Sequence, residues 1–188
     1  MSFIKDKQIG KIGEGIVINL IANAFQHEVE DVSEDKYWQE VDVDLLTVDP
    51  TVEHINYVTG EVTYPEPTKV EVKTDTTNTP NIFFETVSNA KRAIQGNMIT
   101  SAADVLMYVH LEHKFILSVN LPLFRDWVRA RKDTFREVSV RTSNAKGLLI
   151  PIERLLDEED TKTLKGQLAF LDEAGQELKK EEILERIG

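Results

Sequence analysis

Five short strand-like segments, set between two stretches of helical period, constrain this chain more than any other feature. YWQEVDVDLLTVD over residues 37–49 and KVEVKT over 69–74 alternate as half-buried strands do, and NIFFETV, ADVLMYVHLE and KFILSV read as three more strands. Ahead of them, Ile12, Ile16 and Leu20, with Val17, Ile21 and Ala24, recur at helical spacing, which predicts a helix over residues 11–26. After them, LPLFRDWVRARK predicts an amphipathic helix with Leu121, Phe124, Trp127 and Val128 inward and its arginines outward. Helices and strands in this order require an α/β or α+β fold on a mixed central sheet flanked by helices.

The connections follow from their turn residues. Asp49-Pro50, Thr59-Gly60, Pro65 and Pro67 predict a turn-rich hairpin inserted at about residues 50–66. Residues 88–103 carry neither period. GLLIPI returns as a short strand, and the turn between the fourth and fifth strands falls at His113. EEDTKTLKGQL and QELKKEEILERI predict a charged helical tail, with Gly166 and Gly175 as breaks. This gives one domain over residues 1–152 and a charged helical extension over 153–188.

Composition removes several classes of chemistry. There is no Cys, so no disulfide, thiolate nucleophile or Cys-ligated zinc can form. No apolar run reaches the roughly 18 residues of a membrane span, and MSFIKDKQIGKIGEG lacks the apolar core of a signal peptide. The expectation is a soluble, cytoplasmic protein with no membrane partner. The formal charge is −11, but it is uneven. Residues 26–85 hold fifteen acids and three bases, whereas residues 125–146 hold seven bases, Arg141 among them, and three acids. A local basic patch can steer an anion even where the average charge is negative. The acidic stretch also admits an interaction protein that imitates nucleic acid.

The chemistry lies in two of the strands. In Lys69-Val70-Glu71-Val72-Lys73 the valines point one way and Glu71 and Lys73 the other. In Val41-Asp42-Val43-Asp44-Leu45 the two aspartates share a face on the same reading. Pairing of these strands would gather carboxylates and one ammonium at a sheet edge. Carboxylate oxygens suit a hard cation such as Mg²⁺ or Mn²⁺, and crowded carboxylates repel one another until a cation neutralises them. A lysine two residues from a ligating glutamate can stabilise the charge that builds as phosphorus is attacked. An amphipathic strand with Glu and Lys facing water is the bland alternative.

In their order, Gly13-Glu14, Asp44 in VDVDLLTVD and Glu71-Val72-Lys73 resemble the motif of the PD-(D/E)XK nuclease superfamily. The GE…DLL…EVK arrangement is similar to the archaeal Holliday-junction resolvases. NIFFE, SAADVLMYV and GLLIPI look like small phage-type members. The resemblance spans residues 10–152 and implies a restriction-endonuclease-like core. It implies a Mg²⁺- or Mn²⁺-dependent endonuclease acting on DNA, from a bacterial or phage-infected cell. Asp44, Glu71 and Glu14 would hold the metal, and Lys73 would position or activate the attacking water. A role on junction or branched DNA would need two sites, hence a homodimer. The motif's Pro is absent, with Val43 in its place. Asp42 competes with Asp44, which is preferred because it opens the apolar pair Leu45-Leu46.

Around this set, Gln39, Asp75 and Glu85 are polar residues near the site; Asp75 and Glu85 are candidates for contact with its ligands. Glu14 has a second explanation, since an acid in a helix's first turn is favoured by the helix dipole. Arg125, Arg129 and Arg131 either clamp a DNA backbone or form a solvated helix face. The four histidines are scattered, and neither phosphate-binding glycine fingerprint is present. A non-catalytic binding protein on the same scaffold is the rival to the nuclease.

Overall fold

The computed structural model describes residues 3–52, 54–55, 58–59, 62–63, 65–140 and 143–188. Arg141 and the Gly60 half of the expected Thr59-Gly60 turn lie outside the described residues. Helix α1 (Phe3–Asn19) continues into one π-helical stretch at Leu20–Ala24. Its buried stripe of Val17, Leu20 and Ile21 follows the predicted period, but the helix begins eight residues before position 11. Gly10 and Gly13 therefore do not mark its start. A Cβ at Gly13 would lie 1.9 Å from Thr74 Oγ1, so glycine there permits close approach to a strand.

Strand β1 (Glu28–Asp31) leads to α2 (Lys36–Glu40) and β2 (Leu45–Val48). This corrects the expected strand at 37–49. The Asp35 carboxylate accepts from the backbone N–H of Tyr37 (2.8 Å) and Trp38 (3.3 Å), and this cap turns the first half of the segment into helix. Asp42 then sits at φ 51°, in the left-handed region. Asp42 and Asp44 thus do not share one face of one strand.

The inserted segment holds the antiparallel pair β3 (His54–Ile55) and β4 (Val62–Thr63). It is followed by β5 (Thr68–Asp75), β6 (Asn81–Asn89), β7 (Ile94–Gln95) and α3 (Asn97–Thr100). The hairpin β8 (Val105–His110) and β9 (Phe115–Asn120) comes next. Then come α4 (Leu121–Arg131), β10 (Arg136–Val140), β11 (Ala145–Pro151) and α5 (Ile152–Leu155). The four α4 residues expected to point inward are all buried.

The C-terminal segment is corrected from a helical tail. It contributes strand β12 (Leu168–Leu171) as well as helix α6 (Lys180–Ile187). Its charged residues concealed short apolar positions: Leu164, Phe170, Leu178 and Ile183 are buried in the main core.

The protein is mixed α/β. Six strands form one sheet in the order β1-β2-β5-β8-β9-β12, with β5 and β8 parallel and the other neighbours antiparallel. A second sheet, β10-β11-β6-β7, includes two strands of the crossover from β5 to β8. Val70 and Val72 pack with α1 residues Val17, Leu20 and Ile21. By the alternation of the strand, Glu71, Lys73 and Asp75 face the other way, toward the core shared with the second sheet and α4. Among the described residues no helix is long and apolar enough to cross a membrane.

Candidate functional site

The site forms where β2 and β5 part. Their pairing ends at Leu45 opposite Val70, leaving the next residues of β5 without β2 as a neighbour. Asp44 bridges the gap. Its N–H donates to Val70 O (2.9 Å) and its Oδ2 accepts from the Val72 N–H (2.8 Å), which fixes the carboxylate beside β5. Strand order alone suggested that Asp44 and Glu71 would be neighbours. The N–H that Asp44 caps became evident only once β2 was shortened.

Glu71, Lys73 and Asp75 stand in a row on one face of β5. Glu71 is 2% exposed, and its carboxylate is in direct contact with the Lys73 ammonium. The Lys73 side chain retains 31% exposure, so the ion pair is closed on the Glu71 side and open to solvent on the other. Asp75 Oδ2 accepts from Tyr108 Oη (2.7 Å), and the Tyr108 oxygen accepts from the Phe83 N–H (3.2 Å). Tyr108 was not singled out in the sequence. Its signal is register, since it lies opposite Lys73 on the parallel neighbour.

Glu14 reaches the same place from α1, in the middle of the helix rather than its first turn, which removes the dipole explanation. Its carboxylate pairs with Lys11 (2.7 Å), and Lys11 also donates to Ser33 Oγ (2.6 Å). Glu14, Asp44, Lys73 and Asp75 line one cleft of about 380 Å³. Ile9, Gly10, Val72, Thr74 and Thr76 complete its lining, and Glu71 lies outside it, in contact with Lys73.

Burial dominates the electrostatics. It pushes the Glu71 carboxyl up to about 7, with Asp44 and Asp42 adding to the rise and Lys73 opposing it. Burial also raises Asp44, against the Val72 N–H and the Lys73 charge. The Lys73 ammonium loses solvation too. Even so, Glu71, Asp44 and Glu85 hold its proton more firmly than usual. These are the marks of a crowded acidic site in which Lys73 touches Glu71 and Lys11 touches Glu14, while burial still raises Glu71 and Asp44.

The remaining candidates divide. Asp42 is outside the cleft lining; its carboxylate accepts from Thr100 Oγ1 (3.1 Å) and its carbonyl from Ser101 Oγ (2.6 Å). Glu85 on β6 accepts from Ser88 Oγ. Gln39 donates to Ser33 O (2.8 Å), away from the cleft. The expectation that the α4 arginines all point outward is corrected for two of them. Arg125 is fixed to Met98 O (2.7 Å) and Ser101 O (2.6 Å). Arg131 is fixed to Asp160 (2.6 Å) and stacks over Trp127. Arg129 is exposed and pairs with Asp126 (2.7 Å). His110 and His113 are buried with ring centres 4.3 Å apart, near the carbonyls of Thr79 and Arg186.

Among the described residues no three His, Asp or Glu side chains are gathered as a ready-made metal cage. The donors nevertheless suit a hard divalent cation, because Asp44, Glu14 and Glu71 offer carboxylate oxygens and burial raises two of them, Asp44 and Glu71. Glu71 must release Lys73 to take part. Comparison with protein families, with characterised proteins and with solved structures finds no match to this chain.

Proposed function

We propose that the protein is a metal-dependent endonuclease that hydrolyses DNA phosphodiester bonds. Asp44, Glu71 and Glu14 are its ligands for Mg²⁺ or Mn²⁺, and Lys73 is the residue that meets the reacting phosphate. One observation carries the reading. Asp44 and Lys73 line a single cleft at the parting of two strands, with Glu71 in contact with Lys73 and Glu14 entering from α1. The restriction-endonuclease-like core is part of the proposal, supported by α1 against an antiparallel β1-β2-β5 run followed by parallel β8.

When bound, the cation polarises the scissile phosphate and lowers the pKa of a water molecule. The chain's own residues do the rest. The Val72 N–H holds the Asp44 carboxylate in place, and the Lys11 ion pair orients Glu14. Lys73, open to the cleft, stabilises the charge on the attacked phosphate once Glu71 lets it go. Asp75, anchored by Tyr108, keeps a further acceptor beside Lys73.

The test is cleavage of plasmid, flap and four-way-junction DNA with Mg²⁺ or Mn²⁺, comparing the wild type with Lys73→Ala. The substitution is expected to lower the rate by about 10²–10³, the scale of losing one positioned charge stabiliser. An unchanged rate would overturn the assignment. One observation favours a second reading, a non-catalytic DNA-binding protein: Glu71 and Lys73 are closed on each other. DNA bound but never cut would select it. Junction cleavage in particular requires a homodimer, which sedimentation with and without DNA would detect.

A further inference from the structure

The 33 acids are spread so densely along this chain that residues 86–103 and 138–152 are its two longest stretches without one. The fold brings these stretches together. Lys146 on β11 lies opposite Val87 on β6, and Thr86 Oγ1 donates to Lys146 O (3.3 Å). At the same end of the second sheet the Ala90 N–H donates to Asn144 O (3.0 Å), which joins the turn between β6 and β7 to the turn between β10 and β11. This end carries Lys91, Arg92 and Lys146. Lys91 and Arg92 are exposed, and among the described residues none of the three forms an ion pair with a carboxylate. The α4 arginines differ, since Arg129 and Arg131 are each paired with an aspartate and Arg125 is held by two carbonyls.

Asn89 orders the turn. Its side-chain oxygen accepts from the Lys91 N–H (3.1 Å) and the Arg92 N–H (3.2 Å), and Ala93 follows at φ 54°. Two adjacent cations on an ordered turn lose less freedom when a ligand arrives. In a chain of net charge −11, an acid-free end with unpaired cations is where a polyanion is drawn. One strand links this end to the first cleft. The Phe83 N–H of β6 donates to Tyr108 Oη (3.2 Å), and Tyr108 donates to Asp75 (2.7 Å) in the cleft lining. From Phe83 to Asn89 the strand covers about 20 Å, at about 3.3 Å per residue. Each strand of B-DNA carries one phosphate per roughly 3.4 Å of axis, so this span matches about six base pairs.

We propose that Lys91, Arg92 and Lys146 hold the phosphate backbone of duplex DNA several base pairs beyond the phosphate that meets Lys73. The inference rests on the nuclease reading and deepens it, because it sets the path of the substrate across the end of the second sheet. Contacts of this kind fix the position of a duplex without reading its sequence. An acidic protein would meet the same charges, but the hydrogen-bonded link from β6 to the cleft favours the substrate of that cleft.

The test is fluorescence anisotropy in EDTA, where no cleavage occurs, with a labelled blunt duplex of about 20 base pairs over a range of salt. Lys91→Ala, Arg92→Ala and Lys146→Ala should each lower the slope of log affinity against log salt by about 0.9, the value of one phosphate contact on B-DNA. At about 0.1 M salt each should weaken binding about eightfold. Lys165→Ala, at an exposed lysine of the C-terminal segment, is the control and should change neither quantity. Slopes unchanged in all three variants overturn the proposal, and so does an equal change in the control. Cleavage that Lys73→Ala abolishes, together with such unchanged slopes, overturns the backbone contact alone. Slopes that fall as expected, when the wild type cuts no DNA with Mg²⁺ or Mn²⁺, keep the contact and overturn the nuclease. A wild type that binds no duplex but binds polyglutamate through the same three residues overturns the proposal in favour of an acidic protein partner.

Discussion

At Glu71 a carboxyl loses water and keeps Asp44 and Asp42 within electrostatic reach, and these outweigh the ammonium in contact, so it holds its proton up to about pH 7. An ordinary glutamate ionises near 4.5. The native value is the higher one, so this residue's contribution to stability is complete below about 4.5 and is lost as the pH rises through 7. A cation that needs the ionised form must compete with that proton. Calorimetric affinity for Mn²⁺ should therefore be level above about pH 7 and fall toward tenfold per unit below it. Glu71→Gln should weaken binding and flatten the pH dependence; an unchanged profile in that variant would remove Glu71 from the ligands. The face shared by Glu71 and Lys73 was legible from alternation alone. The Tyr108–Asp75 hydrogen bond was not, because it joins strands 33 residues apart in sequence whose register no local pattern sets.

Among the elements, α1 and β5 come close at Gly13, where even a methyl group would strike Thr74 Oγ1. Gly13→Ala should destabilise the protein by about 1–3 kcal/mol, as overpacking does. Gly15, two residues on in the same helix, has open space around its missing side chain. Gly15→Ala should instead stabilise it by about 0.5–1 kcal/mol, the helix preference of alanine over glycine. Urea unfolding of the two variants side by side separates packing from propensity, and equal effects would refute the close contact. In the sequence Gly13 stood, with Glu14, at the expected opening of the helix, and the strand it makes room for was not legible there. The expectation for residues 37–49 failed for a related reason. Asp35 caps a short helix more decisively than alternation specifies a strand, and an N-cap outside the alternating window carries no period of its own.

For the whole molecule, the unexpected result is how much the last segment contributes. β12 covers β9 along the far edge of the main sheet, and Leu164, Phe170, Leu178 and Ile183 complete the core under α4 and the second sheet. A charged composition disguised this, because strands of four residues and one-faced helices need few apolar positions. The central strands, the hairpin and the inward face of α4 were legible because each carries its full period. Removal of residues 153–188 should leave one edge of β9 without a partner and open the core. The shortened chain is expected to be insoluble or to lack a cooperative thermal transition; a soluble fragment with a sharp transition would show that the rest folds without it.

That arrangement also sets an order of events during synthesis. A ribosome releases β2, β5 and β8 tens of residues before β12, so Asp44, Glu71 and Lys73 emerge while the sheet still lacks its far border. Until residue 171 clears the exit tunnel, the nascent chain would present the bare outer edge of β9 to its surroundings.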